Sequence, residues 1–310
     1  MSDSTRAGAA APPIRPAPLA EHASARVRPR SNWRLAWLRF ARNRLAIGAG
    51  GFLILLYLLA AFGPAIAPYP PNQVDIRARH QRPNAAHWLG TDENGRDVLA
   101  RVIVGARASL TVGLTAMLVS ITIGVVVGGL SGYFGRFVDA ILMRVTDGLL
   151  AIPTFFLALI VVAVFRPTFI NLILVIGGTS WMTAARVVRS EVLRYRVRDF
   201  VLAARALGAS NGRILWRHVL PHTVPSVIVA ATLGVAQAIL LESALSYLGL
   251  GIQPPTASWG NMLSNAQAYL WENPSLPFYP GLLILLSVLA YNFLGDALRD
   301  AFDPQSREAA

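Results

Sequence analysis

DFVLAARALGASNGRILWRHVLP, running from Asp199 to Pro221, is the segment from which the architecture is read. Asp199 is placed to cap a short helix, Phe200–Leu207, in which Phe200, Ala203, Ala204 and Leu207 recur at i, i+3, i+4 and i+7. Gly208 suits the left-handed position that ends such a helix, where a side chain would be strained. Ser210 is placed to cap a second short helix, expected to stop before Pro221. The product is a helix–Gly–helix knuckle with a small-residue apolar face, ringed by Arg205, Arg213 and Arg217. Periodicity alone leaves two readings: a plug for a groove on a cytoplasmic partner, or an amphipathic pair lying among lipid headgroups.

Outward from this segment the chain turns strongly apolar. Of its 310 residues 54% are hydrophobic and only 14% charged, and the mean hydropathy is +0.49. Soluble proteins carry about a quarter charged residues, so much of this chain contacts something other than water. Six stretches reach the roughly 20 apolar residues that a bilayer demands: about 45–66, 109–130, 141–165, 168–185, 223–248 and 278–298. An all-α membrane protein of six transmembrane helices follows, and the even number places both termini on one side.

Arginine indicates which side. Arg26, Arg28, Arg30, Arg34, Arg39, Arg42 and Arg44 precede the first span. Arg186, Arg189, Arg194, Arg196, Arg198, Arg205, Arg213 and Arg217 lie between the fourth and fifth, and the loop between the fifth and sixth has none. The positive-inside rule then puts both termini and the loop 186–222 in the cytoplasm of a plasma (inner) membrane protein. Arg77, Arg79, Arg82, Arg96, Arg101 and Arg107, in the first outside loop, argue against it but are outweighed. The net charge of +12 is therefore read as topology and lipid contact, not as a nucleic-acid face.

The chain divides into a disordered cytoplasmic tail (1–30), a first span with its outside loop (31–107), a core (108–303) and a short C-terminal tail (304–310). The first apolar run begins too far from Met1, and is too long, for a secretory signal. The last outside loop, 249–277, is rich in Pro, Trp and Asn, and its Trp259 suits an interfacial belt.

Composition also closes off chemistry. The chain has no cysteine, and all 28 of its basic residues are arginine. Disulfides, thiolate metal sites and a P-loop within this chain are excluded, so any ATP must be bound by another subunit. Two intramembrane acids are candidate cavity or gating residues. Asp147 is three residues from Arg144 and is expected to pair with it. Glu242 has no base within helical reach, and either bonds the loop at Gly249–Gly251 or meets a substrate amine. Ser120, Gly124, Gly128 and Gly132 form a small-residue stripe for close helix packing, and Pro153 is expected to kink the third span. His218 and His222 have a metal-compatible spacing, but no third ligand accompanies them.

Leu202-Ala203-Ala204-Arg205-Ala206-Leu207-Gly208 with His218-Val219-Leu220-Pro221 resembles the Glu-Ala-Ala…Gly…Leu-Pro signature of ABC importer membrane subunits, with Leu202 in place of its glutamate. Leu89–Leu99, Gly105–Leu110, Glu242–Gly251, Ser258-Trp259-Gly260 and Asn292–Asp296 resemble the dipeptide/oligopeptide/nickel permeases, C-type subunit. The resemblance implies a type I ABC importer transmembrane domain that moves di- or oligopeptides. The alternatives are nickel or another small solute carried by the same family, and an ATP-independent secondary transporter. The implied partners are a B-type permease, two ATP-binding cassette subunits holding ATP and magnesium, and an extracytoplasmic substrate-binding protein. No cofactor is implied in this chain, which is not an enzyme. Asp199, Leu202, Ala203, Ala204, Arg205, Leu207, Gly208, Ser210, Leu220 and Pro221 would couple it to the ATPase. A single cysteine placed at Ser210 should crosslink to the ATPase subunit and label from the cytoplasmic side; labelling from outside only would overturn the topology.

Overall fold

The computed structural model describes residues 32–165 and 168–302. The tails at 1–30 and 304–310 lie outside the described residues. In chain order the helices are α1 (Asn32–Phe40), α2 (Arg44–Ile66), α3 (Val98–Phe134), α4 (Arg136–Leu150), α5 (Thr154–Val164), α6 (Phe169–Tyr195), α7 (Asp199–Ala206), α8 (Asn211–Arg213), α9 (Leu220–Tyr247), α10 (Trp259–Ala266) and α11 (Ser275–Phe302). Side chains cap several of the starts: Asn43 accepts from Ala46 N at 3.1 Å and Asp97 from Ala100 N at 2.8 Å.

Five described helices are long and apolar enough to cross a membrane: α2, α3, α6, the continuous run Asn211–Tyr247, and α11. The third span, expected as one kinked helix over 141–165, is instead two helices: α4 and α5 meet at 89°. Pro153 has no N–H to continue α4 and disfavours a helical residue before it. The helix restarts beyond it, with Leu157 N–H donating to the Pro153 carbonyl at 3.1 Å.

The glycine stripe of α3 packs on α6. A Cβ on Gly124 would lie 2.6 Å from Ala184 Cβ, one on Gly128 2.3 Å from Ala185 O, and one on Gly132 2.9 Å from Arg189 O. Beside this contact, Asp139 of α4 receives both Nε and Nη2 of Arg189, each at 2.6 Å, and the hydroxyl of Ser131. Asp147 does not pair with Arg144: its partner is Arg186 of α6, at 2.5 Å. Both acids of α4 thus meet arginines of α6.

Leu53, Leu56, Leu110, Met117, Ile239 and Tyr291 form the apolar core between α2, α3, α9 and α11. Trp259 belongs to this core and not to an interfacial belt: it is fully buried, and its Nε1 donates to Val102 O at 3.2 Å. In the loop before α3, Arg96 reaches Asp92 at 2.7 Å and Glu93 at 2.9 Å, while Arg101 approaches Asp92 at 3.4 Å. Both arginines are buried. Two of the six arginines that argued against the topology are thus neutralised internally.

Replacing Gly128 with Val should destabilise the purified chain by about 1–3 kcal/mol, the usual cost of overpacking. Gly48 has open space around its Cβ position, so Gly48→Val should melt like the parent. Equal melting of the two variants would contradict the close approach of α3 and α6.

Candidate functional site: the knuckle and the cavity above it

α7 ends as the sequence leads one to expect. Gly208 has φ +79°, its N–H donates to Arg205 O at 3.0 Å, and Ala209 N–H donates to Ala204 O at 3.1 Å. This is a Schellman ending. A Cβ at Gly208 would meet nothing within 4 Å, so glycine is required by the backbone conformation and not by space. Ser210 caps α8, accepting from Arg213 N at 3.5 Å.

The start and the far end differ from expectation. Asp199 is the first residue of α7 and not its cap; Arg198 holds the cap position, with no side-chain cap bond. The second helix does not stop before Pro221. From α8 the chain widens into a π-helical stretch, Ile214–Val219, in which Leu220 N–H donates to Leu215 O, and then runs into α9 with Pro221 in its first turn. Proline has no N–H to donate and its ring crowds the carbonyl one turn back; a wider turn relieves both conflicts.

The apolar face read from the sequence is largely exposed, and a residue outside it, Val201, faces inward. Val201 is fully buried against Ile214, Leu215, Val219, Val188 and Val192, with Ala204 partly buried beside it. Leu202 is 50% exposed and Leu207 88%, and Ala203 and Arg205 point outward too. Tyr133 of α3 donates its hydroxyl to Asn211 Oδ1 at 3.0 Å and ties the second limb down. The knuckle is therefore seated on α3 and α6 from within and presents Leu202, Ala203 and Leu207 without a partner among the described residues.

α6 and α9, which the knuckle joins, also line a cavity of about 1310 Å³ with parts of α1, α5 and α11. Its polar lining is largely uncharged: Thr154, Ser180, Thr183, Ser226, Gln237 and Asn292. Arg39, Glu191, Arg194 and Arg299 lie at the ends of their helices. Glu191 accepts from Ser226 Oγ at 3.0 Å and from Arg194 at 3.4 Å. The sequence signal for this lining is isolated hydroxyl and amide residues within apolar stretches, which carry no charge to mark them.

Neither Asp147 nor Glu242 lines the cavity. Glu242 is fully buried. Its carboxylate accepts from Ser109 Oγ at 2.8 Å and Ser246 Oγ at 2.7 Å. Ser246 Oγ in turn accepts from Ile252 N at 3.0 Å, and Ser109 Oγ from Trp259 N at 3.3 Å. The acid thus secures the loop after α9, as one of the two expectations had it, through an intervening serine. No group of three metal-ligating side chains occurs among the described residues, and His222 Nδ1 is bonded to His218 O at 2.7 Å.

The family model described as "Binding-protein-dependent transport system inner membrane component" matches residues 120–308. A second, "N-terminal TM domain of oligopeptide transport permease C", matches 31–83. A putative peptide permease of Brucella suis biovar 1 is 43% identical over 272 residues, covering 86% of this chain and 89% of the relative. The dipeptide transport system permease protein DppC of Alkalihalophilus pseudofirmus is 39% identical, covering 89% and 91%. In fold, the chain resembles one from inward-facing MetNI methionine ABC transporter crystals, with TM-score 0.51, 17% identity, and coverage of 65% of this chain and 96% of that one.

Glu242→Leu, which removes the shared acceptor of buried serines, should lower stability by about 1–3 kcal/mol. Asp147→Asn, at a half-exposed pair, should cost about 0–1 kcal/mol. Thermal unfolding in detergent compares them; an equal effect of the two substitutions would contradict the assignment of Glu242 as a structural tie.

Proposed function

The chain belongs to the family of binding-protein-dependent inner membrane transport components, as a permease subunit of the dipeptide/oligopeptide type, and from that premise we propose that it passes di- or oligopeptides through its cavity when a cytoplasmic ATPase displaces its knuckle. The observation that carries this reading is the placement of the knuckle. It joins α6 to α9, two walls of the cavity, and holds an unpartnered apolar tip of Leu202, Ala203 and Leu207 away from them.

In this reading the tip sits in a groove of one of two ATP-binding cassette subunits, which hold ATP and magnesium. Leu202 makes an apolar contact there in place of a glutamate. A B-type permease completes the cavity and a binding protein delivers the peptide from outside. Both termini and the knuckle are cytoplasmic, in agreement with the arginines of 186–222. The peptide class is supported by the names of the relatives and by the lining. Beside the charged groups at the helix ends, neutral hydroxyl and amide groups offer exchangeable hydrogen bonds to a peptide backbone. The cavity exceeds the roughly 300–1,000 Å³ of small-ligand pockets, as a path for short peptides of varied sequence requires.

ATP binding must bias an equilibrium between two arrangements of the cavity walls, and it does so only through contacts that differ between them. Rigidity of the knuckle is then essential. Gly208→Val forces a β-branched residue into φ +79° and should loosen the α7 ending. ATP-driven peptide uptake by the reconstituted complex should fall by about tenfold or more, for about 1.4 kcal/mol of lost coupling. Basal ATP hydrolysis and membrane insertion should persist. Unimpaired uptake by this variant would remove the knuckle from the mechanism.

A further inference from the structure

α6, α7 and α9 meet at a single imidazole. The ring of His222, in the first turn of α9, stacks on Phe200 of α7 with centroids 4.8 Å apart and planes 24° apart. Tyr195, the last residue of α6, lies against the same ring, tilted 43° at 5.3 Å. The Nδ1–H of His222 donates to the carbonyl of His218 at 2.7 Å, which limits rotation of the ring. The arrangement continues on both sides of the ring. The Arg194 guanidinium lies 5.2 Å from the Tyr195 ring centroid and also reaches Glu191, which Ser226 of α9 holds at 3.0 Å.

These groups belong to two places at once. Phe200 is part of the knuckle, whereas Tyr195, His222, Arg194, Glu191 and Ser226 line the cavity. The backbone joins knuckle to walls only through the turn at 196–198 and the stretch 207–219. The side-chain route is shorter and passes through rings in contact, Phe200, His222 and Tyr195. The π-helical stretch sets it up. An α-helix turns about 100° per residue, so the extra residue of a π turn decides which face His222 occupies.

We propose that His222 is a positioning residue, a ring that transmits displacement of α7 directly to the α6 and α9 walls of the cavity. This rests on the coupling role given to the knuckle above and names the side chains that carry it inward. What matters is the aromatic plane between Phe200 and Tyr195, so another aromatic ring should serve and an alanine should not.

The test uses the full complex, with partner permease, ATPases and binding protein, in liposomes supplied with radiolabelled dialanine and trialanine. His222→Ala should raise the ATP consumed per peptide imported at least about fivefold, the lower end of typical coupling effects. Complex assembly and ATP hydrolysis without binding protein should be unchanged, which a merely structural role would not give. His222→Phe should restore the ratio to within about twofold. The proposal is overturned if His222→Ala keeps the parental ratio, or if His222→Phe is as defective as His222→Ala. Should His222→Ala fail to assemble, Phe200→Ala removes the stack from the knuckle side and is judged by the same ratio. Absence of ATP-dependent uptake by the unaltered complex would contradict the importer reading itself, and this proposal with it.

Discussion

The backbone contact between α3 and α6 is the constraint on which the rest of the molecule depends. In a bilayer, apolar side chains gain little by leaving lipid for protein, so helices associate through close packing and hydrogen bonds. Gly124, Gly128 and Gly132 allow that approach, and at Gly128 no larger side chain fits against the Ala185 carbonyl. Once α3 and α6 are fixed, Arg186 and Arg189 stand where the acids of α4 can reach them. At the same end, Tyr133, Val188 and Val192 form the seat under the knuckle. Toward the other end of α3, Ser109 brings in Glu242 of α9, and with it the loop and α10.

That arrangement joins one moving part to one cavity. The knuckle rests on the cavity's own walls, so under the proposed function its displacement by a partner would be felt where a peptide passes. Two kinds of link serve this: the Schellman ending at Gly208, which keeps α7 a firm unit, and the ring contacts through His222. The buried Glu242 network serves a different purpose. It holds the loop after α9 to α3 and α10.

Local features were legible in the sequence because local chemistry decides them. The apolar runs, the glycine stripe, the left-handed Gly208 and the Ser210 cap each rest on residues within one or two turns. Asp147 shows where this ends: Arg144 is its near neighbour in sequence, but the acid pairs with Arg186, 39 residues away on α6. Val201 carries no mark in the sequence, because only the seat beneath this eight-residue helix buries it. Pro221 read as a stop because proline ends α-helices; the π-helical solution depends on a continuous helix being packed on both sides. The cavity was the least legible element, since its lining is drawn from separate helices and carries no motif.

The most direct test of the central claim is a distance measurement across the cavity. A chain without cysteine accepts nitroxide labels cleanly at Thr183→Cys on α6 and Val229→Cys on α9, both cavity-lining positions. In the assembled importer, trapping the ATPases with ATP and vanadate should shift the distance distribution between them, and Gly208→Val should abolish the shift while ATP is still bound. The same shift in both proteins would show that the walls move without the knuckle, and would contradict the account.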